Sequence, residues 1–269
     1  LPELAETRQG KEPSDGTVSF QDVSFSYSRD DTLALSDVSF TAREGGVTAI
    51  VGTSGGGKST IAHLIPRFWD VSKGRICIGD VDIREMTERD LMRQVSLVFQ
   101  DVYLFNQSIR DNIKIGIPEA SDEEVVRAAK AACCDEFIES LPNGYDTVLG
   151  EGGVHLSGGE AQRISIARAI IRNTPILVLD EATAFADPEN ERLIQTALRK
   201  LMKGRTVIII AHRLGTIKDA DNILVMDKGK LVESGTHSDL LQAKGVYSDM
   251  WMRYTQSLEW GIGKEEVAL

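Results

Sequence analysis

Val47-Thr-Ala-Ile-Val51 runs without a break into Gly52-Thr53-Ser54-Gly55-Gly56-Gly57-Lys58-Ser59-Thr60, and the fold is read outward from this stretch. The first part is a short apolar run bounded by glycine, the pattern of a strand buried on both faces of a parallel sheet. The second part fits G-x-x-x-x-G-K-[ST] at every fixed position. Its glycines let successive backbone N–H groups turn inward as an anion-binding nest, and a helix opening near Lys58 adds its positive end. Lys58 is then placed to reach β and γ phosphates, and the Ser59 hydroxyl to ligate Mg²⁺. A merely flexible glycine loop would not require Lys58, Ser59, the strand and the helix together.

Further buried strands are expected at Val95 to Phe99, Ile176 to Leu179, Val207 to Ala211 and Ile223 to Met226, with helical patterns between several of them. That is an α/β arrangement with crossover helices and a mostly parallel sheet. Before the loop, apolar residues alternate at Val18, Phe20, Val23, Phe25 and Tyr27. A second apolar run from Leu33 to Phe40 follows, so antiparallel strands are expected there. Between Gln100 and Gly150 the strand signal disappears, and Ser121 with Glu124 forms a capping box before a helical run, Val125 to Ala132. An inserted helical lobe is expected. After Gly235, Thr236 and Asp239 suit the start of a short helix, and Val246 to Leu258 reads as a helix whose Met250, Trp251, Met252 and Tyr254 pack on the domain.

Composition sets the outer limits. The chain has 269 residues, 42% hydrophobic and 26% charged, enough for a sizeable core. Its 41 acidic and 30 basic residues give a formal charge of -11, and no basic stripe offsets it, which argues against nucleic acid as a partner. The three cysteines, Cys77, Cys133 and Cys134, do not make a disulfide framework and fit a reducing compartment. No apolar stretch approaches the roughly 18 residues that span a bilayer. The opening run from Glu3 to Pro13 reads as a linker, so the chain is expected to be a piece of a longer polypeptide.

Two further strand ends carry chemistry. Ile176-Leu-Val-Leu-Asp180-Glu181 puts adjacent carboxylates at a strand terminus, where Asp180 suits Mg²⁺, usually through water, and Glu181 suits orienting and deprotonating an attacking water. Such acids also serve to cap a following helix; the phosphate loop in the same chain favours the catalytic reading. His212 follows Thr206-Val-Ile-Ile-Ile-Ala211, at the mouth of an α/β crevice where ligands bind. A lone histidine there is more often structural, and the other motifs make it a γ-phosphate sensor. His63, His155 and His237 lack such a context and read as structural.

These motifs fit any ATPase with such a loop, including a helicase. Leu156-Ser157-Gly158-Gly159-Glu160-Ala-Gln-Arg163 narrows the choice, because it resembles the LSGGQ signature of ABC (ATP-binding cassette) ATPases and opens an amphipathic helix running to about Arg172. The resemblance covers about residues 17–240. It implies a P-loop NTPase (RecA-like) core with a mostly parallel sheet, an N-terminal antiparallel β subdomain and an inserted α-helical subdomain at about 101–172. It also implies a linker at 1–16 following an N-terminal membrane domain, and a helical tail at 241–269. In that family two domains pack head to tail around two Mg-ATP, so Ser157, Gly159 and the helix dipole would face the partner's γ-phosphate. Tyr27 resembles the aromatic that stacks on adenine, Gln100 the Q-loop glutamine that senses Mg²⁺ and couples to the membrane domain, and Asp187 the D-loop aspartate. Thr147 to Gly153 is similar to the segment that touches intracellular loops of exporter-type membrane domains.

The expected protein is therefore an ATPase on the cytoplasmic face of a membrane, working as a homo- or heterodimer and driving an exporter-type transporter. A freestanding importer subunit would normally start at its own methionine and lack the segment like Thr147 to Gly153. A non-transport relative for DNA repair or translation would carry coiled-coil insertions or paired cassettes. Three departures from the family pattern stand out. Gly56 replaces a usual serine. Ala184-Phe-Ala-Asp187 replaces Ser-Ala-Leu-Asp. Glu160 replaces a glutamine, which favours the helix N-terminus but puts a charge expected to repel the partner's triphosphate.

Overall fold

The computed structural model describes residues 10–28, 32–99, 101–150, 153–180, 188–211 and 213–265, with side chains through 257. The chain divides into two compact units, Leu1–Met86 with Ile208–Leu269, and Thr87–Val207.

In the first unit the alternating N-terminal segment forms β1 (Val18–Phe25) and the second apolar run forms β2 (Leu35–Ala42). They pair antiparallel, with Phe20 opposite Phe40 and the two rings stacked at 4.5 Å. β3 (Val47–Gly52) is the quoted apolar run, and α1 (Lys58–Leu64) opens where the glycines end. β4 (Lys73–Ile78) and β5 (Val81–Asp82) complete a four-stranded antiparallel sheet in the order β2-β1-β4-β5.

The second unit begins with α2 (Glu88–Gln94), capped by the Thr87 side chain, and β6 (Val95–Val98). Helices α3 (Ile109–Lys114), α4 (Asp122–Ala131) and α5 (Asp135–Ser140) follow. The Ser121–Glu124 capping box is present at the start of α4. Between 101 and 150 the only β pairing among the described residues is isolated bridges such as Ser108 to Val148. The long helix α6 (Gly158–Arg172) leads to β7 (Ile176–Asp180), which pairs parallel with β6, and α7 (Pro188–Met202) closes the unit.

β8 (Thr206–Ile210) carries the chain back into the first unit, followed by β9 (Asn222–Asp227) and β10 (Lys230–Gly235). There the order is β10-β9-β3-β8, with β3 and β9 parallel and β10 an antiparallel edge. Thr236 and Asp239 form the capping box of α8 (His237–Ala243), and α9 (Val246–Glu265) is the tail helix. A core of Ala49, Val51, Ile223, Val225, Leu240 and the fully buried Tyr247 lies between strands and tail, with Met250, Trp251 and Tyr254 packed against it. No helix among the described residues is long and apolar enough to cross a membrane.

Candidate functional site

The loop after β3 owes its shape to close backbone approaches. Gly52 has φ +144°, and a Cβ there would lie 1.9 Å from the Met226 carbonyl oxygen on the paired strand β9, so no side chain fits. Gly57 sits at φ +94° as the N-cap of α1, where a Cβ would meet Leu35 Cδ2 at 2.7 Å and the Ala34 oxygen at 2.8 Å. The loop is tied to β9 through the Thr53 hydroxyl, which donates to Asp227 Oδ1 at 3.1 Å. Lys58 is only 5% exposed, and its Nζ donates to the carbonyl oxygens of Gly52 (3.0 Å) and Thr53 (2.8 Å). The ammonium is thus drawn in over the loop.

The Gly56 N–H donates to the Thr53 oxygen at 3.1 Å, and the Gly56 carbonyl accepts from Gly229 N–H at 3.2 Å. This residue shapes the loop through a closed turn. A Cβ at Gly56 would stand 3.0 Å from the Thr53 oxygen and 3.1 Å from the Met226 oxygen. Admitting a serine there would require the loop to give by a few tenths of an ångström, so the glycine suits this backbone.

The loop borders a cleft of about 360 Å³ lined by Tyr27, Ala34, the residues from Ser54 through Thr60, and His63. Every residue expected on the nucleotide lines it except Gly52, which lies at the end of β3. Tyr27 donates its hydroxyl to Thr60 Oγ1 at 3.1 Å, and its ring meets Phe25 and Trp69 edge-on at centroid distances of 4.8 and 5.1 Å. Those contacts fix the ring while 53% of the residue stays exposed. His63, expected from the sequence to be structural, also lines this cleft. The available signal was its spacing: Thr60 and His63 are three apart on α1 and share a helix face.

In the second unit, Asp180 ends β7 and is half-buried. The stretch from Leu156 to Glu160 forms the entry to α6, with Ser157 as N-cap and Ser157 and Gly158 exposed. Ser157 Oγ accepts from Glu160 N–H at 3.3 Å, and Glu160 Oε2 accepts from both Ser157 N–H and its hydroxyl at 2.8 Å. This capping box gives the unusual glutamate a local role that S-x-x-E spacing already announced. Farther along, Gln162 Nε2 donates to the Phe99 oxygen at 3.2 Å. The Arg168 guanidinium donates to the oxygens of Tyr103 and Asn112, both at 2.7 Å. Burial pulls Arg168 down to about 10, so it stays charged at neutral pH.

The segment at Thr147–Leu149 is pinned to the chain near α3: Ile109 N–H donates to Thr147 O at 3.0 Å and Leu149 N–H to Gln107 O at 3.1 Å. Val148, Phe105 and Tyr103 are exposed there, the two rings meeting edge-on at 4.9 Å. Gln100, Glu181, Asp187 and His212 lie outside the described residues, as do Glu151 and Gly152 within Thr147 to Gly153.

Comparison with known proteins adds an independent finding. A sequence model described as "ABC transporter" matches residues 35–184, more than half of the chain. The ATP-dependent lipid A-core flippase of Desulfotalea psychrophila is 52% identical over 235 residues, 87% of this chain and 41% of that protein. The flippase of the same name from Pseudomonas aeruginosa is 49% identical over 252 residues, 92% of this chain and 42% of its own length. Among solved structures, a bacterial Atm1-family ABC exporter with ATP bound aligns at TM-score 0.87 and 46% identity, over 93% of this chain and 44% of that one. The chain thus spans less than half the length of these relatives.

Proposed function

The chain belongs to the ABC transporter family, and on that premise we propose that it binds and hydrolyses Mg-ATP and thereby drives an exporter-type membrane domain in the same polypeptide. The observation that carries this is the cleft: a glycine-shaped loop with a buried lysine at its centre and a half-exposed tyrosine on its wall. Phosphate oxygens would replace the neutral Gly52 and Thr53 carbonyls as acceptors for Lys58, adding attraction between opposite charges to bonds that the ammonium already makes charge-assisted. Tyr27 would stack on the adenine.

The donor set, a hydroxyl, one carboxylate and an amide oxygen, fits Mg²⁺, a hard cation bound by oxygen ligands with one or two carboxylates beside substrate phosphates. Ser59, Asp180 and Gln100 would hold it, and when bound it neutralises charge on the β and γ phosphates. Glu181 would accept the proton of the attacking water as its oxygen bonds to the γ-phosphorus and the bond to the ADP oxygen breaks, giving ADP and phosphate. His212 would donate to the γ-phosphate. Ser157, Gly159 and the start of α6 would face the ATP of a second nucleotide-binding domain, the same or homologous, and Asp187 would lie at that interface. Two such domains would close on two ATP, hydrolyse and reopen, moving the membrane domain through alternating access.

The exposed Tyr103, Phe105 and Val148 on adjoining segments support docking of the membrane domain's loops beside Gln100 and Thr147 to Gly153. Such a domain sits at the cytoplasmic face of the membrane. Lys58→Ala tests the reading at its base. Losing charge-assisted bonds at about 1.5–3 kcal/mol each should cost roughly 10²-fold or more in ATP affinity by calorimetry. Unchanged affinity would contradict it.

A further inference from the structure

We propose that Asn190 is a positioning residue that holds the Ser157–Glu160 turn in register, and so acts on hydrolysis of ATP bound by the partner domain. The inference rests on the sandwich reading above but concerns a residue that no motif picks out. Asn190 lies in the first turn of α7, three residues after Asp187. Its side chain is wedged against the signature backbone: a Cβ on Gly159 would lie 2.8 Å from Asn190 Cγ and 3.0 Å from its Oδ1. The same Oδ1 accepts a hydrogen bond from Arg163 Nη1.

Arg163 is itself fixed. It is 4% exposed, and its guanidinium lies over the Phe137 ring of α5 at 5.2 Å. A cation–π contact, a hydrogen bond and the packing of the amide beside Gly159 therefore link α5, α6 and α7 in sequence. The residue before Arg163 extends the same tie to another segment, because Gln162, fully buried, donates to the Phe99 oxygen one position ahead of Gln100. Within a single turn, α6 is thus bonded to the chain just before Gln100 and just after Asp187. Gly159 has no side chain, so the Asn190 side chain occupies the space that a Cβ there would need. A shift of the α7 start is therefore passed to the turn at Ser157–Glu160.

Removing the wedge should loosen that turn while leaving the phosphate loop of the other unit alone. In the intact protein, Asn190→Ala should lower kcat by roughly 10- to 100-fold, the scale of a 1 Å misplacement at a reacting centre. ATP affinity measured by calorimetry without Mg²⁺ should stay within about twofold, since Tyr27 and the loop are untouched. Asn190→Asp keeps the acceptor for Arg163 and the shape, and its charge suits a helix N-terminus. It should keep near-native turnover. In a Glu181→Gln background, ATP-driven association should weaken about tenfold with Asn190→Ala and not with Asn190→Asp.

Native turnover in Asn190→Ala overturns the proposal, as does a loss in Asn190→Asp equal to that in Asn190→Ala. A kcat loss matched by a fall in folded fraction, read from circular dichroism, overturns it too. If Glu181→Gln alone fails to associate in ATP, the sandwich reading falls and takes this proposal with it. If Glu181→Gln associates equally with and without Asn190→Ala, only the proposal falls.

Discussion

Replacing Tyr27 separates what the ring does for the nucleotide from what it does for the fold. The ring is held edge-on by Phe25 and Trp69 and tethered by its hydroxyl to Thr60, 3.1 Å away, with half of its surface open on the cleft. Tyr27→Phe removes only a hydroxyl–hydroxyl bond at a wet site, worth about 0.5 kcal/mol, so ATP affinity should move by less than about threefold. Tyr27→Ala removes the stacking surface, worth roughly 1–3 kcal/mol per base, which is about a 5- to 150-fold weakening. Hydrolysis at saturating ATP should persist, because Lys58, Ser59 and Glu181 are intact. Stacking reads a π-face and not hydrogen-bond edges, so GTP should serve as substrate and lose affinity in parallel. Calorimetry with ATP and GTP on the three proteins gives the comparison. Equal ATP affinity in Tyr27→Ala and the native protein refutes the stacking role, and strict ATP specificity refutes the argument about edges.

Glu160→Gln should preserve the capping box, since glutamine accepts the same bonds, and shift the melting temperature little. It should tighten the ATP-bound dimer by removing a negative charge, with the gain shrinking as salt rises; a gain independent of salt, or none, removes the repulsion. Burial raises the Cys134 thiol to about 12 from 9.0 and the Tyr247 phenol to about 12 from 10.0. Both raised groups stay neutral in the fold, so their stabilisation is full below the unfolded pKa values and is lost as pH climbs toward 12. The melting temperature should therefore fall above about pH 9, less steeply in Cys134→Ala, and a flat profile to pH 11 would contradict this. At neutral pH an alkylating reagent should reach the partly exposed Cys133 ahead of Cys77 and Cys134, both buried.

How much of this was legible from the chain depended on whether the signal was local. β3 and its loop were, because an uncharged run ending in fixed glycines has few other solutions. The Ser121 and Thr236 caps were legible too, each a four-residue pattern. The same S-x-x-E pattern at Ser157 is as clear as at Ser121, and there a cap and a ligand role fall on one residue. β4 was missed because Lys73-Gly-Arg75 opens it with charge and a glycine at φ +80°, which interrupts alternation. β10 was missed because only Leu231 and Val232 among its residues are apolar. Out of reach altogether was the bonding of Arg168 to Asn112 and of Arg163 to Asn190, since these join residues 56 and 27 positions apart with no periodicity to announce them.

In the proposed cycle two nucleotide-binding domains close around ATP and Glu181 ends that state by hydrolysis. Glu181→Gln keeps the size of the side chain but removes its ability to take the proton, so turnover should drop by roughly 10²–10⁴-fold. Binding should survive through Lys58, Ser59 and Asp180, and the lost charge should favour the closed form. Light scattering on size-exclusion chromatography with Mg-ATP should therefore show a dimer for Glu181→Gln, and a monomer for the same protein without nucleotide or for Lys58→Ala. A Glu181→Gln protein that hydrolyses at the native rate, or that binds ATP and stays monomeric, would contradict the account.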